Sequence, residues 1–172
     1  ATSVTPLQLA QATLLLAKRG NAKQIHLTKA LSDDTAWTEF QARDYPPIEY
    51  KTKHWDLIAR ALEDVIKFGT GHRFHNNPYR AAGKTGTAQI VENGLYTKKK
   101  INTFASVFPT SSPKYVLIVL LEDTKLSKDY IYNYRNKPGS YKGTPFNTAG
   151  WTSVEIAGKI IDKIGPILAT KY

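Results

Sequence analysis

The 172-residue sequence contains no cysteine and no methionine. Without cysteine there is no disulfide, no thiolate nucleophile and no thiolate metal site, and the absence fits a bacterial cytoplasm and a periplasm alike. Without methionine, even at position 1, the chain is expected to be a processed or excised piece of something longer. Long apolar runs are lacking too. None reaches about 18 residues and no charged-then-apolar leader opens the chain, so neither a membrane span nor a signal peptide is expected. Acidic residues are few beside basic ones, 14 against 24, which leaves a formal net charge of +10. That excess favours anionic partners such as nucleic acid, acidic lipid headgroups or cell-wall polymers, and equally suits a basic solubilising surface. The hydrophobic share of 41% is enough to bury a core, so residues 1–172 read as one globular domain.

Thr5-Pro6-Leu7-Gln8 has the form of a helix start: Thr5 caps, Pro6 sits where a missing N–H costs nothing, and Gln8 reaches back as a capping-box partner. The spacing of Leu7, Ala10, Leu14 and Ala17 predicts a core helix to about Ala17 or Arg19, ended by Gly20. From Asn21 to Lys51 the apolar residues scatter, Ser32-Asp33-Asp34 reads as a turn and Pro46-Pro47 forbids helix, so loop with short extended pieces is expected. A second helix follows over about Thr52 to Phe68, with Trp55, Ile58, Leu62, Val65 and Ile66 on one face, and Gly69-Thr70-Gly71 breaks it. Glu63-Asp64 on that helix are adjacent, point apart and read as a solvated face rather than a carboxylate pair.

Asn93-Gly94 marks a tight turn, so a hairpin arm is predicted from Val91 through Lys98-Lys99-Lys100. Thr103–Phe108 and Tyr115–Leu121 read as two further strands, and the second, apolar on both faces, as a central one. Glu122 to Gly150 is polar and tyrosine-rich, with Tyr130, Tyr132 and Tyr134 among basic residues. Tyrosines covering the core under a large loop are expected there, with stacking on bases or sugars as the alternative. Thr152-Ser153-Val154-Glu155 repeats the capping-box form, and Val154, Ala157, Ile160, Ile161, Ile164 and Leu168 make an amphipathic closing helix.

The densest chemistry lies in Ala82-Gly83-Lys84-Thr85-Gly86-Thr87-Ala88, which places a cation, two hydroxyls and two glycines in seven residues and continues as a strand into Gln89-Ile90-Val91. A phosphate-binding P-loop is rejected, because the required upstream glycine is Pro78 and a strand rather than a helix follows. A strand-borne acyl-transfer site fits better. A substrate with a terminal carboxylate needs the charge and hydroxyl donors of Lys84, Thr85 and Thr87, Gly86 leaves room for it, and an accessible sheet edge offers N–H groups to a developing oxyanion. A third reading is a non-catalytic basic module that binds nucleic acid or an anionic polymer through charge and tyrosines. His72-Arg73-Phe74-His75 reads as a loop histidine pair rather than a metal site, and neither metal nor cofactor is expected.

Thr5-Pro6-Leu7-Gln8-Leu9-Ala10, then Gly69-Thr70-Gly71, then Ala82 to Gln89 occur in the order and rough spacing seen in class B penicillin-binding proteins. The chain resembles the C-terminal part of their transpeptidase domain, most closely of the septal, cell-division type, up to Asp123 and again in the closing helix. The resemblance implies an α+β fold: an antiparallel sheet covered by the C-terminal helix, flanked by helices and lacking its first strands. It implies a D,D-transpeptidase that forms a serine acyl-enzyme with a peptidoglycan stem peptide ending in D-Ala-D-Ala and is acylated by β-lactams. Lys84 would sustain the positive field, Thr85 and Thr87 would hold the carboxylate, Gly86 would admit the substrate and the Thr87 N–H would complete the oxyanion hole. It further implies a protein anchored by an upstream segment at the periplasmic face of the inner membrane, with divisome or elongation partners, the missing N-terminal half of the domain as another, and no nucleic acid. The family's Ser-x-x-Lys and Ser-x-Asn motifs lie upstream of the Thr-Pro-Leu-Gln helix. No Ser-x-Asn occurs here, and the only Ser-x-x-Lys, Ser111-Ser112-Pro113-Lys114, is expected in a turn, not at a helix start.

Overall fold

The capping box predicted at Thr5 forms: the Gln8 N–H donates to Thr5 Oγ1 at 3.2 Å and the Thr5 N–H to Gln8 Oε1 at 2.8 Å, opening helix α1 (Pro6–Ala17). The computed structural model in which this is seen describes residues 3–33, 35–74, 78–125, 127–134, 136–143 and 146–171. Gly20 follows with φ +87, a left-handed turn packed so close to the Ile48 carbonyl and Trp55 that no side chain fits. The helix buries less than its stripe predicts, since Leu15 and Gln11 are buried while Leu7 and Leu16 are about two-fifths exposed. Gln11 is buried because it staples the next loop, donating to the Lys23 carbonyl and accepting from the Ile25 N–H.

That loop carries a small hairpin, β1 (Ala30–Ser32) with β2 (Trp37–Glu39), whose turn is held by Asp33 accepting from the Thr35 and Ala36 N–H groups; Asp34 lies outside the described residues. Helix α2 (Thr52–Lys67) ends one residue short of the predicted Phe68 and buries Trp55 and Ile66. Its Glu63 is paired with Lys67 at 3.1 Å and with Arg80 at 3.7 Å, which makes it part of a surface ion cluster.

The sheet is antiparallel in the order β3 (Ala82–Glu92), β4 (Leu95–Phe108), β5 (Tyr115–Glu122). Asn93 and Gly94 take φ of +51 and +79, the double left-handed turn that joins β3 to β4 with a matching twist. The predicted lysine arm and the predicted Thr103–Phe108 strand are one continuous strand, because Ile101 and Asn102 pair on both sides and leave no break. β5 is not central. It is an edge among the described residues, and its two apolar faces have another cause: α1 packs on one and the closing helix α3 (Ser153–Lys171) on the other.

Registered pairs share a face. Ala82, Lys84 and Gly86 therefore lie with Ala105 and Val107 on the α1 side, while Gly83, Thr85 and Thr87 lie with Asn102, Phe104, Val119 and Leu121 on the α3 side. On that second side Phe104 and Phe108 meet Val154, Ala157 and Ile161 of α3, with Ile66 and Phe74, to form the core. The second predicted capping box does not form. The Thr152 hydroxyl donates to the Thr148 carbonyl, and Glu155 is taken by Tyr130, Lys159 and Arg73.

Between β5 and α3 a second small hairpin, β6 (Ile131–Asn133) with β7 (Ser140–Lys142), stands within the expected large loop. Its tyrosines do not roof the main core. Tyr132 and Tyr134 pack edge-on to Trp151 at 5.2 and 5.5 Å, and Tyr141 stacks on Tyr132 at 5.8 Å, forming a separate aromatic cluster.

Two outcomes follow from this packing. Phe104→Ala is expected to lower stability by about 3–5 kcal/mol in urea unfolding, whereas Leu57→Ala, on the exposed side of α2, should change it by less than about 0.5 kcal/mol. Among the described residues both sheet edges are unpaired and an apolar cavity lies between α1, α2 and the sheet, so the 172-residue chain on its own is expected to self-associate in sedimentation velocity at micromolar concentration. A monodisperse monomer would count against that.

Candidate active site

β3 is the outer strand of the sheet, and the hydrogen-bond alternation decides what its edge presents. On β4 the carbonyls of Lys100 and Phe108 accept from the Asp123 and Lys114 N–H groups, so the even residues of β4 serve β5. The odd residues Thr103 and Ala105 are left for Gly86 and Lys84. Thr85 and Thr87, opposite Phe104 and Asn102, consequently turn their N–H and C=O groups out to the open edge. The Thr85 carbonyl shows this directly, because it accepts the Lys84 ammonium at 2.6 Å.

The side chains of the motif divide between the two faces. Thr85 and Thr87 line a cleft of about 330 Å³ with Thr70, His72 and residues 148–151, ending at Trp151. Lys84 lies on the other face, lining an apolar cavity of about 430 Å³ with Leu9 and Leu16 of α1, Trp55 and Leu62 of α2, and Ala105 and Val107. A side chain at Gly86 would meet nothing within 4 Å, so the strand is open there, whereas Gly83 is pressed against the Ala105 carbonyl and the Phe104 ring. Ser111 also lines the Lys84 cavity, but Ser111-Ser112-Pro113-Lys114 forms the bend between β4 and β5, with no helix to set the lysine one turn from the serine.

The Thr87 hydroxyl is already engaged. It donates to Asn102 Oδ1 at 3.2 Å and accepts the Ala149 N–H at 3.0 Å; Asn102 in turn donates to Asn147, and Asn147 to the Thr124 carbonyl at 3.1 Å. Asn102 is fully buried, so this relay satisfies an amide that would otherwise be costly to bury. The Thr85 hydroxyl lies 2.6 Å from that of Thr70, at the mouth of the cleft.

Arg73 holds the Trp151 end. Its guanidinium lies 3.7 Å from the indole centroid, donates to the Asn133 carbonyl at 3.1 Å and pairs with Glu155 at 3.7 Å. The Tyr130 hydroxyl donates to the same carboxylate. Burial, together with Glu155, pushes the Tyr130 phenol up to about 12. Burial alone would raise Glu155, but hydrogen bonds from Tyr130 and Lys159 and the charges of Lys159 and Arg73 outweigh it and hold the carboxyl below its ordinary range. His72 lines the cleft and His75 lies outside the described residues; among the described residues no three metal-capable side chains converge.

The structure thus brings Thr85 and Thr87 together and sets Lys84 on the opposite face of the same strand. Sequence reasoning passed over Asn102, Arg73, Trp151 and the hydroxyl of Thr70. Asn102 left a signal, an amide two residues before the core-facing Phe104 and so on the same face of the strand. Arg73 and Trp151 left none, since 78 residues separate two groups that meet only in the fold.

The family model for the penicillin binding protein transpeptidase domain matches residues 1–145. The chain is 34% identical over 135 residues to the peptidoglycan D,D-transpeptidase MrdA of Haemophilus influenzae, covering 70% of this chain and 21% of that protein. It is 26% identical over 176 aligned positions to the probable peptidoglycan D,D-transpeptidase FtsI of Caulobacter vibrioides, covering 98% of this chain and 27% of that protein. A solved structure of a mycobacterial penicillin binding protein complexed with aztreonam superposes with a TM-score of 0.70 at 24% identity, over 96% of this chain and 36% of that one. The chain therefore spans about a quarter or less of the length of such curated relatives, and shares its α+β fold with part of the solved domain. With all but the last 27 residues inside one family model, the chain belongs to the penicillin-binding protein transpeptidase family.

Proposed function

We propose that residues 1–172 form the C-terminal portion of the transpeptidase domain of a class B penicillin-binding protein, and that the whole protein is a peptidoglycan D,D-transpeptidase. One observation carries the reading. Within the family-matched segment, Lys84-Thr85-Gly86-Thr87 stands on an open sheet edge with the backbone groups of both threonines turned outward and a cleft beside them. In the proposed reaction a serine supplied by the remainder of the domain attacks the penultimate D-Ala carbonyl of a stem peptide. The outward Thr87 N–H stabilises the oxyanion, the terminal D-Ala leaves, and the amine of a neighbouring stem displaces the serine to form the cross-link. Lys84 supplies positive field at the strand, and the Thr85 hydroxyl receives the terminal carboxylate, with the Thr87 hydroxyl held in its relay to Asn102. β-Lactams, which carry a carboxylate beside a strained carbonyl, acylate the same serine.

Such a reaction places the protein at the periplasmic face of the bacterial inner membrane, among the proteins of septal or side-wall growth. None of the described helices is long and apolar enough to cross a membrane, so the proposed anchor belongs to another segment. The basic-module reading gains nothing from the fold. Tyr132, Tyr134 and Tyr141 spend their rings on one another and on Trp151 instead of presenting a stacking platform.

Because the described fold offers no helix-borne Ser-x-x-Lys, the 172-residue chain alone is expected to form no covalent adduct with a fluorescent penicillin in denaturing electrophoresis. A labelled band would place a nucleophile within these residues. In the full-length protein, Lys84→Ala is expected to slow acylation by about 10²–10³-fold with an unchanged thermal unfolding curve, the size of effect found when one preorganised electrostatic contact is removed. Near-normal labelling would make Lys84 a structural residue only.

A further inference from the structure

Thr70 stands in the turn Gly69-Thr70-Gly71, and the glycines around it explain why it stands there. A Cβ on Gly69 would meet the Val65 backbone at 3.0 Å, and one on Gly71 would meet Ile66 at 2.8 Å. From the other side, a Cβ on Gly150 would meet the Thr70 carbonyl oxygen at 2.5 Å. The turn is therefore clamped between the end of α2 and the segment entering α3, and it is closed by the Gly69 and Gly71 N–H groups on the Asp64 and Val65 carbonyls at 3.0 and 2.9 Å. That clamp delivers the Thr70 hydroxyl to within 2.6 Å of the Thr85 hydroxyl, across 15 residues of chain and in an exposed setting. Exposed hydroxyls find water as readily as each other, so the contact contributes little to stability. Its use lies in direction.

A hydroxyl carries one proton. If Thr85 spends its proton on Thr70, it has none for a carboxylate. If Thr70 donates to Thr85, the Thr85 proton is free to point outward, and the first hydrogen bond polarises the second. Thr87 cannot take over without breaking the relay, because its own proton serves Asn102. An approaching carboxylate, which only accepts, selects the order Thr70 to Thr85 to carboxylate. We propose that Thr70 is a positioning residue that donates to Thr85 and aims the Thr85 hydroxyl at the terminal carboxylate of the ligand. This rests on the transpeptidase reading and adds to it a residue outside the Lys84–Thr87 strand.

The test uses the full-length protein and second-order acylation rates with a penicillin and with its carboxyl methyl ester. Thr70→Val is expected to slow the penicillin about tenfold, the size of one hydrogen bond supporting a charged contact, and to leave the slower ester reaction unchanged. Thr70→Ser should restore the penicillin rate to within about twofold, and Thr70→Val should add nothing in a Thr85→Val background. Equal losses for penicillin and ester would show a structural role, and multiplicative losses with Thr85→Val would show that Thr70 touches the carboxylate itself. Either result, or an unchanged penicillin rate, overturns the proposal while the transpeptidase reading stands. A wild-type protein that takes up no penicillin overturns both.

Discussion

The buried Asn102 amide is the constraint on which the arrangement of the site depends. A primary amide with no exposed surface must find partners, and leaving one group unpaired costs about 1–3 kcal/mol. Here the partners come from three separate segments: Thr87 on the neighbouring strand, Asn147 before the last helix and, beyond it, the carbonyl of Thr124. The Ala149 N–H closes the relay on the Thr87 hydroxyl. Satisfying one amide therefore fixes the distance between β3 and the entry to α3, which is the width of the cleft. The relay also excludes the simplest use of the motif, in which both threonine hydroxyls wait unpaired for a ligand.

Strand periodicity adds a second constraint. Successive side chains on β3 point to opposite faces, so a lysine followed by a threonine cannot line one cavity. Lys84 reaches the apolar cavity under α1 and α2, Thr85 and Thr87 reach the cleft beside α3, and only the backbone of the strand is common to both. A ligand lying along the edge meets the outward groups of Thr85 and Thr87 and has the lysine charge on one side and the hydroxyls on the other. The edge position of β3 makes this possible, because an inner strand would have no backbone groups to offer.

Local chemistry was legible in the sequence, and pairing over distance was not. The capping box of Thr5 and Gln8, the Asn93-Gly94 turn and the strand through Lys84 each depend on residues within a few positions and appear where they were expected. The capping box read at Thr152 and Glu155 failed because Arg73, Tyr130 and Lys159 compete for the carboxylate, and two of the three come from elsewhere in the chain. β5 is apolar on both faces, and among the described residues α1 and α3 account for that pattern without a second neighbouring strand. The β6–β7 hairpin escaped for a related reason. Three-residue strands are too short to show alternation, and their stability comes from Trp151 and Arg73, outside the segment itself.

The two sides of β3 also differ in how complete they are, and this bears on how a nucleophile meets the motif. On the α3 side the turn at Thr70, the relay through Asn102 and the Arg73–Trp151 stack border the cleft at Thr85 and Thr87 with groups from this chain. On the α1 side Lys84 donates to the carbonyl of its own neighbour and borders an apolar cavity that no described side chain fills. A helix carrying the proposed serine would find on the second side an apolar cavity lined by Leu9, Leu16, Trp55 and Val107. In the proposed reaction, entry from the Lys84 face would bring the serine to the lysine charge on one side of the strand, with the substrate carboxylate at Thr85 on the other. The proposed oxyanion donor, the outward Thr87 N–H, belongs to the strand edge that the two faces share.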